Sequence, residues 1–139
     1  MHKQYLQWEM QGQLYALAME HCLDVQSELK IVEIPHSDEY IQGIVNWRGD
    51  IVTVLDLARL LQPTKKSNAI PPIIMRLQYQ TEVLAIGVDE IHEVLDIDEA
   101  QIESSEMFLS GQKARYISSV IREKQDLLLV PDLEKIFSI

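Results

Sequence analysis

The chain has 139 residues, enough for one domain with its own core, and 22 acids against 12 Lys and Arg give it a formal net charge of −10. That charge repels nucleic-acid phosphates and anionic membrane surfaces, so neither is an expected partner. The one cysteine, Cys22, can close no internal disulfide and suits a reducing compartment, and no apolar run approaches the ~20 residues of a membrane helix.

The elements are short from the start. Tyr5 to Met10 and Leu14 to Met19 read as two strands around Gly12, a hairpin signal. Ile41–Trp47 and Ile51–Leu55 are β-branched or apolar runs separated by the turn chemistry of Arg48-Gly49-Asp50. Asp56 is a good N-cap for a short helix over Leu57–Leu61, which Gln62-Pro63 ends. Thr64 to Pro72 is polar and bounded by prolines, a connecting loop. Strands follow at Ile73–Gln78, Leu84–Val88, Tyr116–Ile121 and Leu127–Val130, and Asp132 precedes a second short helix over Leu133–Phe137. Many short strands at close spacing predict a barrel or sandwich. Between Asp89 and Glu106 stand eight acids and no Lys or Arg. This stretch is a solvated face or a docking face for a basic partner.

The most informative feature is an internal repeat. Residues 40–61 align with residues 116–137 at a constant offset of 76, Tyr40 to Tyr116, without a gap. Tyr40/Tyr116, Ile41/Ile117, Asp50/Asp126, Val54/Val130, Asp56/Asp132 and Leu57/Leu133 are identical, and Arg48/Lys124 and Ile51/Leu127 swap like for like. Leu14–Val25 aligns with Val83–Val94 at an offset of 69, with Ala16/Ala85 identical and the acids kept at Glu20/Asp89 and Asp24/Glu93. Two similar halves follow. Each is too small for a sufficient core, so the two should pack as one folding unit with a groove at their junction.

The segment from Tyr40 to Leu57 carries an aromatic, Gly43, two β-branched residues, Asn46, Arg48-Gly49, and an apolar strand closing in Asp56-Leu57. With Gly12 through Leu17, Leu23-Asp24-Val25, Ile34-Pro35, Val88-Asp89 and Glu93-Val94, the chain resembles the CheW family of chemotaxis coupling proteins over nearly its whole length. The resemblance implies a mostly β fold of two packed SH3-like five-stranded barrels with short helices, one CheW-like domain over 1–139 made of two intertwined subdomains. It implies a non-catalytic adaptor that needs no cofactor. One surface would meet the cytoplasmic helical tip of a chemoreceptor and another the regulatory domain of a CheA-type histidine kinase. A cytoplasmic protein associated with membrane receptor arrays is expected, and Met1–Tyr5 holds no apolar signal region. The same adaptor could serve a type IV pilus, surface-sensing or phototaxis pathway.

Within that pattern, Gly43 is expected to follow a short helix and to need φ > 0 or a close backbone approach. Asn46 can bond turn backbone and tolerates left-handed geometry, and Gly49 closes the turn. Arg48 would then stand on a rigid strand pair with its planar donor fork available to a partner carboxylate or helix carbonyl. The alternative is an Arg paired to a nearby acid to stiffen the turn. By the resemblance Arg48 is the main receptor contact, with Asn46, Trp47 and Gly49 beside it and Cys22, Leu23 and Val25 lining the groove. Trp47 is either an exposed anchor or core, and Cys22 could equally be a small hydrophobe. In the second copy Ser119 replaces the glycine, Lys124-Gln125 replaces Arg-Gly, and Pro131 removes a strand donor. No metal is expected, because His2, His21, His36 and His92 share no ligand spacing and there is no HExxH. A small hydrolase using the 89–106 acids is the reading from another class, and it needs converging carboxylates in a pocket.

Overall fold

The computed structural model describes residues 1–64 and 70–139. Residues 65–69 of the expected Thr64–Pro72 loop lie outside the described residues. Eleven strands and three short α-helices are described: β1 (His2–Met10), β2 (Gln13–Ala18), β3 (Cys22–Ser27), β4 (Ile41–Trp47), β5 (Asp50–Leu55), α1 (Leu57–Leu61), β6 (Ile73–Tyr79), β7 (Glu82–Val88), β8 (Glu90–Asp98), β9 (Ile102–Ser104), α2 (Gly111–Tyr116), β10 (Ile117–Glu123), β11 (Asp126–Pro131) and α3 (Leu133–Ile136). The expected mostly β fold is observed.

Strands form two sheets with matching internal order. One runs β3-β6-β7-β5-β4 and the other β8-β1-β2-β11-β10-β9. Under the sequence offsets, β3 corresponds to β8, β7 to β2, β5 to β11 and β4 to β10. The hairpin β1–β2 therefore sits in the sheet of the second copy, and β6–β7 in the sheet of the first. Each hairpin joins its host through a parallel pairing, Val54 with Ala85 and Leu129 with Tyr15. The three-residue β9 pairs with β10 at Val120–Glu103, and its counterpart is a single bridge between Val32 and Ile44. The six-against-five strand count arises from this one difference.

The copies repeat in detail. Asp56 Oδ1 accepts the Arg59 N–H at 3.0 Å, and Asp132 Oδ1 accepts that of Lys135 at 3.2 Å. Each cap satisfies a free amide of the first helical turn, worth about 1 kcal/mol. The Asp56 and Asp132 amides donate to the Tyr40 and Tyr116 carbonyls. One buried cluster joins the two sheets: Trp8 and Tyr15, stacked with centroids 5.6 Å apart, share it with Met75, Leu77, Ile86, Leu129 and the apolar faces of α1 and α3. A second, smaller cluster of Val45, Trp47, Val52, Val54, Ile74 and Ala85 fills the inside of the five-stranded sheet.

Four elements depart from the expectations. β3 and β8 are sheet edges whose charged residues mask the strand pattern, which edges tolerate because one side meets water. β9 and α2 are three and six residues long, below what periodicity resolves. Gly43 is also placed differently: it follows no helix and lies inside β4, where the register shifts between Ile41 and Gly43. At φ +151° an added Cβ would lie 2.2 Å from the Val32 carbonyl oxygen, which accepts the Ile44 N–H. Glycine is required here by close approach. Gly43→Ala should lower stability by roughly 3 kcal/mol in chemical denaturation. A stability equal to the parent protein's would show that this contact is not needed.

Candidate functional site

The loop between β4 and β5 is two residues long. Arg48 has φ +54° and Gly49 φ +96°, the paired left-handed conformations of a type I′ hairpin turn. Glycine adopts them freely, whereas an arginine there costs about 1 kcal/mol. Asn46 Oδ1 accepts the Gly49 N–H at 2.8 Å and braces the loop. The left-handed position falls on Arg48 and not on Asn46, because Asn46 is still in β4, opposite Ile51. Lys124, at φ +57°, occupies the matching position of the β10–β11 turn.

Alternation along β4 turns Asn46 outward and Val45 and Trp47 inward. Trp47 is 2% exposed, so it cannot anchor a partner, and the expectation of a surface contact is corrected. Its period-two position places it on the face that fills the barrel. Arg48 and Asn46 are exposed, and Ile51, across the strand pair from Asn46, is 67% exposed. Among the described residues Arg48 enters no ion pair.

Beneath the turn lies a stack the sequence did not announce. The Arg76 guanidinium carbon sits 5.0 Å from the Trp47 ring centroid. Arg76 Nε and Nη2 donate to the two oxygens of Asp24, at 2.6 and 2.8 Å. Asp24 comes from β3, Arg76 from β6 and Trp47 from β4. Because β3 and β4 are the two edges of this sheet, the stack spans the barrel from edge to edge. The Arg76 fork holds the Asp24 carboxyl below its usual range. The charge of Arg48 acts in the same direction, as does the Trp47 indole N–H, although that group lies outside hydrogen-bond geometry to any acceptor. Asp24 in turn raises Arg76, helped by the charge of Asp50.

The other expected groove residues separate. Leu23 and Val25 are 40% and 48% exposed on the outer side of β3. Cys22 turns to the shared core instead. Burial pushes its thiol up to about 11, and the thiol donates to the Ala18 carbonyl at 3.8 Å. It packs, partly buried, against the shared core. The acids of 89–106 are strung along the β8 edge and the turns beyond it, where Asp96 and Asp98 flank His2. Glu9, Glu90 and His92 bring metal-type ligand atoms within 4.8 Å of one another, with His92 Nε2 facing Glu9 at 3.5 Å and Glu90 at 3.9 Å in a cross-strand cluster.

The CheW-like domain family matches residues 4–139. The chain belongs to this family. It is 24% identical over 139 residues to the chemotaxis protein CheW of Treponema pallidum, covering 97% of this chain and 82% of that protein. It is 25% identical over 131 residues to that of Thermotoga maritima, covering 94% and 85%. The fold matches the crystal structure of the scaffolding protein TtCheW from Thermoanaerobacter tengcongensis with a TM-score of 0.87, at 24% identity, over 100% of this chain and 94% of that one. Among the described residues no helix is long and apolar enough to cross a membrane.

Arg76 was readable in principle. A cation that alternation places on the same face of β6 as the buried Ile74 needs a partner, since a partly buried, unpaired charge is costly. Asp24, whose folded-state pKa is depressed, contributes stability above its ordinary unfolded value of 3.8 and loses it as pH falls through the lower folded value. The stability gap between the parent protein and Asp24→Asn should therefore be full at pH 7 and shrink below the ordinary carboxylate range in urea titrations. A gap independent of pH would contradict the pairing.

Proposed function

We propose that this CheW-family protein is a non-catalytic cytoplasmic adaptor, acting as one unit of two interlocked subdomains, that couples the helical tip of a chemoreceptor to the regulatory domain of a CheA-type histidine kinase. The observation that carries the reading is Arg48: an arginine held at a left-handed turn position, exposed, with no ion pair among the described residues. A turn needing only stability would favour Asn or Gly there. The residue found pays about 1 kcal/mol in backbone strain and presents five donors in a fixed fork. Such a fork suits a carboxylate or the carbonyls at a helix end on the receptor hairpin. Strain held at an exposed turn is common where the side chain serves a partner.

Asn46 and Gly49 hold the turn, Ile51 supplies apolar area beside it, and Leu23 and Val25 extend the aliphatic surface on β3. Relatives bearing the family name are chemotaxis proteins, and the structural relative is a scaffolding protein. Both support an adaptor role. The second barrel keeps a cation at Lys124 but lacks the Asn-x-Arg-Gly arrangement. In this reading it serves as scaffold and contributes to the kinase side.

Arg48→Glu should leave thermal unfolding unchanged, abolish pull-down of a receptor hairpin fragment, and retain capture of the kinase regulatory domain. Receptor capture equal to the parent protein's would sink the assignment.

A further inference from the structure

Where the chain leaves one sheet for the other, a set of side chains converges that the docking turn does not use. Asp89 is the single residue between β7, in the five-stranded sheet, and β8, in the six-stranded sheet. Its N–H donates to the Glu9 carbonyl at 3.1 Å, and its carboxylate accepts the Gln11 N–H at 2.7 Å, which pins the start of β8 to the end of β1. Glu9 and Glu90 stand directly opposite each other in that strand pair. Like charges so placed repel, and among the described residues neither carboxylate pairs with Lys or Arg. The register shift between Leu6 and Trp8 sets His92 and Glu93 against the single Gln7. Beside this bulge the His92 imidazole lies 3.5 Å from Glu9 and 3.9 Å from Glu90. The fold does not itself require these residues: the sequence offset of 69 puts Gln78, His21 and Leu23 at the matching places of the other copy.

We propose that Glu9, Glu90 and His92 form a binding site for one divalent transition-metal ion of the zinc class, which clasps β1 to β8 at the crossover between the sheets. Two carboxylates and one imidazole are oxygen and nitrogen donors that zinc accepts, whereas magnesium and calcium take oxygen ligands. Donors around a tetrahedral zinc lie about 3.4 Å apart. His92 and Glu9 already have nearly that spacing, and all three ligand atoms lie within 4.8 Å of one another. Rotation of the glutamate side chains closes the rest, and the Glu90 side chain is free to make it at 66% exposure. The two carboxylates balance the charge of the ion, and the ion removes their mutual repulsion. A fourth position stays open to water. Asp89 is not a ligand, because the Gln11 amide already holds its carboxylate. The spacing of the histidines along the chain carries no sign of this set, because two of its three members meet only across the strand pair.

Calorimetric titration of the metal-free protein with zinc chloride should show one ion bound per chain. His92→Asn and Glu90→Gln should each weaken that binding about tenfold or more. His2→Asn removes a histidine that lies between two acids, and Cys22→Ser removes the one thiol. Both of these variants should bind zinc like the parent protein. In nitrogen-15 NMR, zinc should shift the amide signals of Glu9 to Gln11 and of Asp89 to His92, and slow exchange of the Asp89 amide. Zinc at roughly 100-fold above its dissociation constant should raise the melting temperature of the parent protein by about 5 °C or more. The melting temperature of His92→Asn should stay in place at the same zinc concentration. Absence of zinc binding would overturn the proposal, as would binding that survives His92→Asn or NMR shifts centred on His2 or Cys22. Calcium bound as tightly as zinc, and equally well by His92→Asn, would reduce the set to a pair of acids and would overturn it too.

Discussion

Each sheet is completed by a hairpin that the other copy of the repeat supplies, and the parallel strand pairing that docks it is the constraint on which the rest of the structure depends. Val54 beside Ala85 and Leu129 beside Tyr15 are the junctions. The six-stranded sheet cannot form from one contiguous stretch of chain, because all five strands of the other sheet lie between β2 and β8. The exchange explains why the apolar faces of the sheets merge into one buried cluster. It also explains why the copies keep similar turns and helix caps: each copy must accept a hairpin with the same geometry. Such long-range pairings carry a loop-closure cost before they bring contacts, and the shared core has to offset it.

On this frame the barrel of the first copy closes around an ionic stack instead of a purely apolar plug. Arg76 and Asp24 give up part of their hydration, and a charge so placed is tolerable because the pairing is bidentate and the guanidinium plane rests on an aromatic face. Among the described residues the second copy has no such stack at the matching positions. The positions matching Trp47 and Asp24 are Glu123 and Glu93. Glu123 instead takes a hydrogen bond from Gln101. Two barrels of one topology therefore end in different chemistry at the mouth. The one with the Asn-x-Arg-Gly turn is the one whose strand edges are clamped together.

Much of this could be read from the chain. The repeat at Tyr40–Leu61 and Tyr116–Phe137, the capping acids Asp56 and Asp132, and the Arg48-Gly49 turn are local signals written in adjacent residues. The charged edges β3 and β8 were not legible, because solvent on one side lets an edge strand carry acids that hide its period. Trp47 was ambiguous for a related reason. Alternation assigns it the same face as Val45, but whether that face is inside depends on which strands lie across from it. Gly43 was misplaced, and the packing of Cys22 left open, because their surroundings, the Val32 carbonyl and the shared core, come from elsewhere in the chain.

By itself the sequence determined a repeated, mostly β chain with an arginine in a hairpin turn, since turn residues, capping and strand alternation act over a few neighbouring bonds. The tertiary structure alone decided that the hairpins are exchanged between copies, that Trp47 is buried, and that Asp24 of β3 meets Arg76 of β6 beneath the β4–β5 turn. Those facts depend on which distant strands become neighbours, and the residues concerned lie as far apart as Asp24 and Arg76 in a chain whose local pattern carries no record of the meeting.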